Sequence, residues 1–133
     1  MSNVKCIVLA SLSLLTGCLI YLFFRQGVVA VNWIGNPEWL KSLDAGVKYD
    51  GNMPTYLLLY CLPDALWYFS MLILQFQFYD KSVLFCKILL CLTIALPFVI
   101  EIMQFFKMIR GTFDKFDIVF YLITLLITLK VKK

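Results

Sequence analysis

The chain alternates long apolar runs with short polar breaks. The first run extends from about Val4 to Phe24 and is closed by Arg25. About 20 residues rising ~1.5 Å each match a hydrocarbon core of ~30 Å, so this run predicts a membrane-spanning helix. The second run, Thr55 to Tyr79, contains Pro63 and Asp64. A proline is tolerated in the first turn of a helix and disrupts its interior, so the spacing predicts a split: a short interfacial piece from Tyr56 to Leu62, then a span over about 63–79. Asp64 then falls at the positive end of that helix dipole. Asp80-Lys81-Ser82 reads as a tight connection, and a third span follows over about 83–102, with Pro97 as a kink and a helical continuation to about Ile109. Arg110-Gly111-Thr112 ends it, and a fourth span covers about 114–129 before Lys130, Lys132 and Lys133.

One long connection remains, 26–62, which mixes Trp33 and Trp39 with Asn, Gly, Glu, Lys and Asp. Such a mixture belongs on the membrane surface rather than across it. Asn36-Pro37-Glu38 has the N-cap, first-turn proline and acid of a short helix start running to about Leu43, and Tyr49-Asp50-Gly51-Asn52 reads as a turn. The expected fold is therefore all-α: a single integral membrane domain, a four-helix bundle with a long interfacial first connection, in contact with the lipid bilayer.

Composition agrees with that pattern. Across 133 residues 62% are hydrophobic and 15% charged, outside the balance of a soluble domain. The net charge of +4 does not point to nucleic acid, because the 12 Lys and Arg stand singly at the edges of apolar runs. They divide evenly between the two faces. Lys5, Lys81, Lys87, Lys130, Lys132 and Lys133 fall on one, and Arg25, Lys41, Lys48, Lys107, Arg110 and Lys115 on the other. The lysines crowding the C-terminus, and the acidic neighbours of the bases opposite, favour a multi-pass protein of the cell membrane with both termini cytoplasmic.

There is no histidine, and the five cysteines form no CxxC. This points away from zinc and toward buried, inert thiols, with no cofactor implied. Leu15-Thr16-Gly17-Cys18 resembles a lipoprotein processing box, but the apolar stretch runs on to Phe24 where a polar tether would follow. No phosphate-cradling glycine loop and no nucleophile with its base is present, so the chain leans away from enzymes.

The candidate chemistry gathers at one face, where the second span begins, the third ends and the fourth begins. Its members are Asp64, Glu101, Gln104, Arg110, Asp114 and Asp117. Glu101 and Gln104 are three apart on one helix face, as are Asp114 and Asp117. A carboxylate amid Val99, Ile100, Ile102 and Met103 costs at least a few kcal/mol unless paired, and Arg110 is the expected partner of Glu101. Helix capping by the aspartates and an interhelical clamp by the others are the structural alternatives to a binding pocket.

Glu101-Ile-Met-Gln104, then Arg110, then Asp114-Lys-Phe-Asp117 resembles the Glu-x-x-Gln, Arg, Asp-x-x-Asp signature of VanZ-like membrane proteins. Leu62-Pro63-Asp64 matches the acidic residue with which that family opens its second span. The likeness covers roughly Leu62 to Leu129. It departs where the family carries a histidine after that Asp, here Leu66-Trp67, and an Asn and Gly pair in the fourth span, here Tyr121 to Thr124. The resemblance implies an envelope protein whose extracytoplasmic pocket binds the head group of a lipid-linked precursor and alters glycopeptide antibiotic susceptibility. Two other readings stay open: a structural or regulatory subunit or oligomeric pore, and a small metal-dependent enzyme acting on lipid phosphates.

Overall fold

The computed structural model describes residues 3–24 and 51–132, within which there are four helices and no strand. They are α1 (Asn3–Phe24), α2 (Met53–Gln77), α3 (Leu84–Phe105) and α4 (Lys115–Lys132). Three of these, α1, α2 and α3, are long and apolar enough to cross a membrane. Their large side chains point outward. Leu84 and Phe85 are 68% and 67% exposed, a distribution that water penalises and lipid does not. Arg25, the 26–50 part of the expected interfacial segment, the Asn36-Pro37-Glu38 helix start, Trp33 and Trp39 lie outside the described residues.

The expected split at Pro63 is replaced by a continuous helix. The chain runs helically from Met53 through Gln77, with one wide π-helical turn over Leu57–Cys61. In that turn the Leu62 N–H donates to the Leu57 carbonyl, five residues back. Pro63 lacks the N–H that would bond the Leu59 carbonyl and its ring would collide with that group. A wide turn directly ahead of the proline accommodates it without ending the helix.

α1 and α2 pack antiparallel through small residues. Cys6, Ala10, Ser13 and Gly17 form the buried stripe of α1, spaced three to four apart, which lets two backbones approach closely. At one end the Cys6 thiol donates to Gln77 Oε1 at 2.9 Å; midway Ser13 Oγ donates to the Leu66 carbonyl at 2.9 Å. At the other end Gly17 faces Trp67 and Pro63. α2 is the central element, with Leu72 fully buried in one cluster with Tyr68 of the same helix and Tyr121 of α4. Ile73 packs with Cys6 and Ala10, and Val131 of α4 closes this cluster, so the start of α1 and the end of α4 share one end.

Asp80 makes the α2–α3 connection tight by accepting from the backbone N–H and hydroxyl of Ser82, at 2.8 and 2.7 Å. Those two bonds, the hydroxyl's first, hold the exposed carboxyl below its usual pKa. α3 stops at Phe105 rather than near Ile109. Lys107 adopts φ 56°, its N–H bonds the Gln104 carbonyl and the Met108 N–H bonds the Met103 carbonyl, which is a Schellman ending. Within α3, Pro97 leaves the ladder one donor short, and the Tyr68 hydroxyl donates to the neighbouring Ile94 carbonyl at 3.3 Å.

Candidate functional site

The end of the molecule away from Asn3 and Val131 collects the start of α2, the end of α3 and the start of α4. A cavity of about 180 Å³ opens there. Four carboxylates line it: Asp64 of α2, Glu101 of α3, and Asp114 and Asp117 at the start of α4. Gln104 lines it too, so five of the six residues expected from the sequence converge. Arg110 does not; it is exposed in the α3–α4 loop and lines no part of the cavity.

The expected Glu101–Arg110 pair is therefore replaced. Glu101, only 4% exposed, accepts from the backbone N–H of Asp114 at 3.1 Å through Oε2. This bond ties the end of α3 to the start of α4 and provides the polar partner that a buried carboxylate requires. The early stop of α3 explains the change. Leaving the helix at Phe105 turns the chain back on itself, which brings Asp114 under Glu101 and sends Arg110 outward.

Asp114 joins two roles. Its Oδ1 accepts the Phe116 N–H at 2.8 Å, capping α4, and its Oδ2 accepts the Tyr56 hydroxyl from α2. Asp117 sits in the first turn of α4, where the dipole favours an acid, and its Oδ1 is buried with no hydrogen-bond partner among the described residues. The Cys61 sulfur and carboxylate oxygens of Asp114 and Asp117 lie within 4.8 Å of one another. Expected to be inert, Cys61 is thus placed beside two acids. Sulfur and carboxylate oxygen together are ligand types that zinc accepts.

Tyr56, Tyr60, Gly111 and Thr112 also line the cavity, and sequence reasoning missed them as site residues. Tyr56, Tyr60 and Asp64 recur at intervals of four, a helical signal hidden by the assumed break at Pro63. Gly111 adopts φ 141°, a conformation open to glycine, and a Cβ there would overlap the Gln104 side chain. The loop backbone and Gln104 thus share a space that only a hydrogen leaves free.

One turn deeper than the acids stands an aromatic layer. Tyr68 lies four residues after Asp64, Tyr121 four after Asp117, and Phe98 three before Glu101. Their rings meet edge to face, with centroids 5.4 Å apart for Tyr68–Tyr121 and 5.9 Å for Phe98–Tyr121. The layer underlies the acids, and Asp64 borders the apolar space beside it as well.

Four carboxylates around so small a cavity repel one another unless a cation or bound protons offset them. The nearby base Lys115 stands 5.3 Å from the centroid of its neighbour's ring, Phe116. The cavity has room for several waters or a compact cationic group, and is below the size that takes a drug-sized molecule. Comparison with protein-family models, curated proteins and solved structures returns no match.

Proposed function

We propose that this chain is a VanZ-like integral membrane protein that holds the cationic part of a lipid-linked or envelope molecule in its acidic pocket. The observation that carries the reading is the convergence of Asp64, Glu101, Gln104, Asp114 and Asp117 on one cavity. Arg110 is the residue through which a phosphate would be gripped, and it stands outside; the carboxylates favour a positive group instead.

The reading takes all four helices as spans. α4 has 18 residues, about 27 Å of rise, and its stretch from Ile118 to Leu129 carries no charge. Lys115 and Asp117 stand at one end, Lys130 and Lys132 at the other, as at two interfaces. With the termini cytoplasmic, the pocket faces the exterior, where envelope precursors are used.

The test is expression in a glycopeptide-sensitive bacterium of the wild type, Glu101→Gln and Asp117→Asn, matched for membrane abundance. The wild type is expected to raise drug tolerance and both variants to return it to the baseline. Unchanged sensitivity with the wild type overturns the resistance reading.

The closeness of Cys61, Asp114 and Asp117 favours a second reading, a metal-dependent enzyme acting on lipid phosphates. Purified protein that releases no phosphate from such lipids with zinc, magnesium or manganese removes it.

A further inference from the structure

The acidic pocket shares one wall residue with a neighbouring space. A second, apolar cavity of about 470 Å³ lies between α2 and α3, and Asp64 lines both. From Asp64 this groove continues past Trp67 and Met71 on α2 and along Leu92, Leu96 and Ile100 on α3. Ile100 adjoins Glu101 of the pocket, and Tyr121, one turn below Asp117, lines the groove as well.

The geometry exists because the small-residue stripe of α1 draws α2 close, and α3 leans on α2 more sparsely. Pro97 lies in the groove wall, where its ring fills the side of α3 that would otherwise carry a hydrogen-bonded turn. From Leu89 to Ile100, both on the wall, α3 rises by about 16 Å, close to half of a ~30 Å hydrocarbon core. The groove is therefore one leaflet deep, and it ends at Asp64, one of the four acids.

We propose that this groove holds the hydrocarbon chain of an amine-bearing lipid, taken sideways from the leaflet on the pocket side, with its cationic head among the four carboxylates. The inference rests on the pocket reading above and specifies its ligand as a single amphiphile. Charge complementarity selects the head. The chain gains little by leaving lipid for an equally apolar groove, so its role is to orient and deliver the head along Asp64 rather than to add affinity. An anionic or phosphocholine lipid of the same chain fits the groove and is refused at its polar end.

Two measurements on the full chain in nanodiscs separate this inference from the reading it rests on. The first is the thermal stability of the protein with ethylamine, a head without a chain. The second is quenching of Trp67, in the Trp33→Phe/Trp39→Phe background, by 9,10-dibromostearylamine and by phosphocholine lipid carrying the same dibrominated chain. Ethylamine is expected to raise the Tm of the wild type and not of Asp117→Asn. The brominated amine is expected to quench Trp67 at a mole fraction at least tenfold below that of the phosphocholine lipid. Leu96→Phe with Met71→Phe, which fill the groove, should erase the quenching while keeping the ethylamine shift. Stabilisation by ethylamine with no preferential quenching overturns the groove and leaves the pocket reading standing. Equal quenching by both lipids and no ethylamine shift overturn the pocket reading together with the inference.

Discussion

Gly17→Ala tests whether the α1–α2 contact is as close as it stands. A Cβ on Gly17 would lie 2.6 Å from both Cδ1 and Nε1 of Trp67 and 3.1 Å from the Pro63 carbonyl oxygen. Trp67 cannot step aside freely, because its ring packs on Tyr21 with centroids 5.2 Å apart. Overpacking of this kind costs about 1–3 kcal/mol. Against it stands the helix propensity of alanine, worth about 1 kcal/mol over glycine in water. In an SDS titration of protein in mixed micelles the denatured chain keeps its helices, so that gain largely cancels and the steric cost is read almost alone. The expected result is a loss of about 1–3 kcal/mol, followed by near-UV circular dichroism. Trp67→Phe in the same background should recover part of it, giving a coupling of at least about 0.5 kcal/mol between the two sites. A Gly17→Ala protein as stable as the wild type, or more stable, refutes the close approach and with it the account of how α2 is seated.

Asp114→Ala should cost about 1–2 kcal/mol in thermal unfolding, where the helices themselves melt, because it removes the cap on Phe116 and the acceptor of the Tyr56 hydroxyl. Asp114→Asn keeps an oxygen for the Phe116 N–H and should cost less than half as much; equal losses would show that the cap contributes nothing. Lys107→Gly is expected to be neutral or stabilising by up to about 1 kcal/mol, since φ 56° strains a residue with a Cβ while glycine adopts it freely. A clear loss of midpoint stability in Lys107→Gly would mean that the loop between α3 and α4 does not end in this motif.

Much of the fold was legible because lipid imposes a simple rule: apolar runs of about 20 residues become helices. α1 is found within a residue of its predicted limits, Val4 to Phe24, since nothing inside it competes with helix formation. The α2 boundary was not legible. Pro63 carries the same signal whether it starts a helix or follows a π-turn, and the sequence holds no marker of the wider turn. The end of α3 was missed for a related reason. A Schellman ending is usually announced by glycine, and here the left-handed position is Lys107, with Gly111 four residues farther on.

The site was more legible in membership than in pairing. Topology alone places Asp64, Glu101, Asp114 and Asp117 at one end, whichever way the loop turns. Which groups satisfy Glu101 depends on the loop itself, and a buried carboxylate is served as well by a backbone N–H as by a guanidinium. That substitution has a chemical consequence. An Arg110 inside the cavity would offset one of its four carboxylates; Arg110 outside it, with Glu101 bound to a neutral N–H, leaves that offset to other groups. Tyr68, Phe98 and Tyr121 lie beneath the acids, and Asp64 is the acid that also borders the α2–α3 groove. The same short stretch, Phe106 to Phe113, thus decides both which group satisfies Glu101 and whether Arg110 faces the cavity.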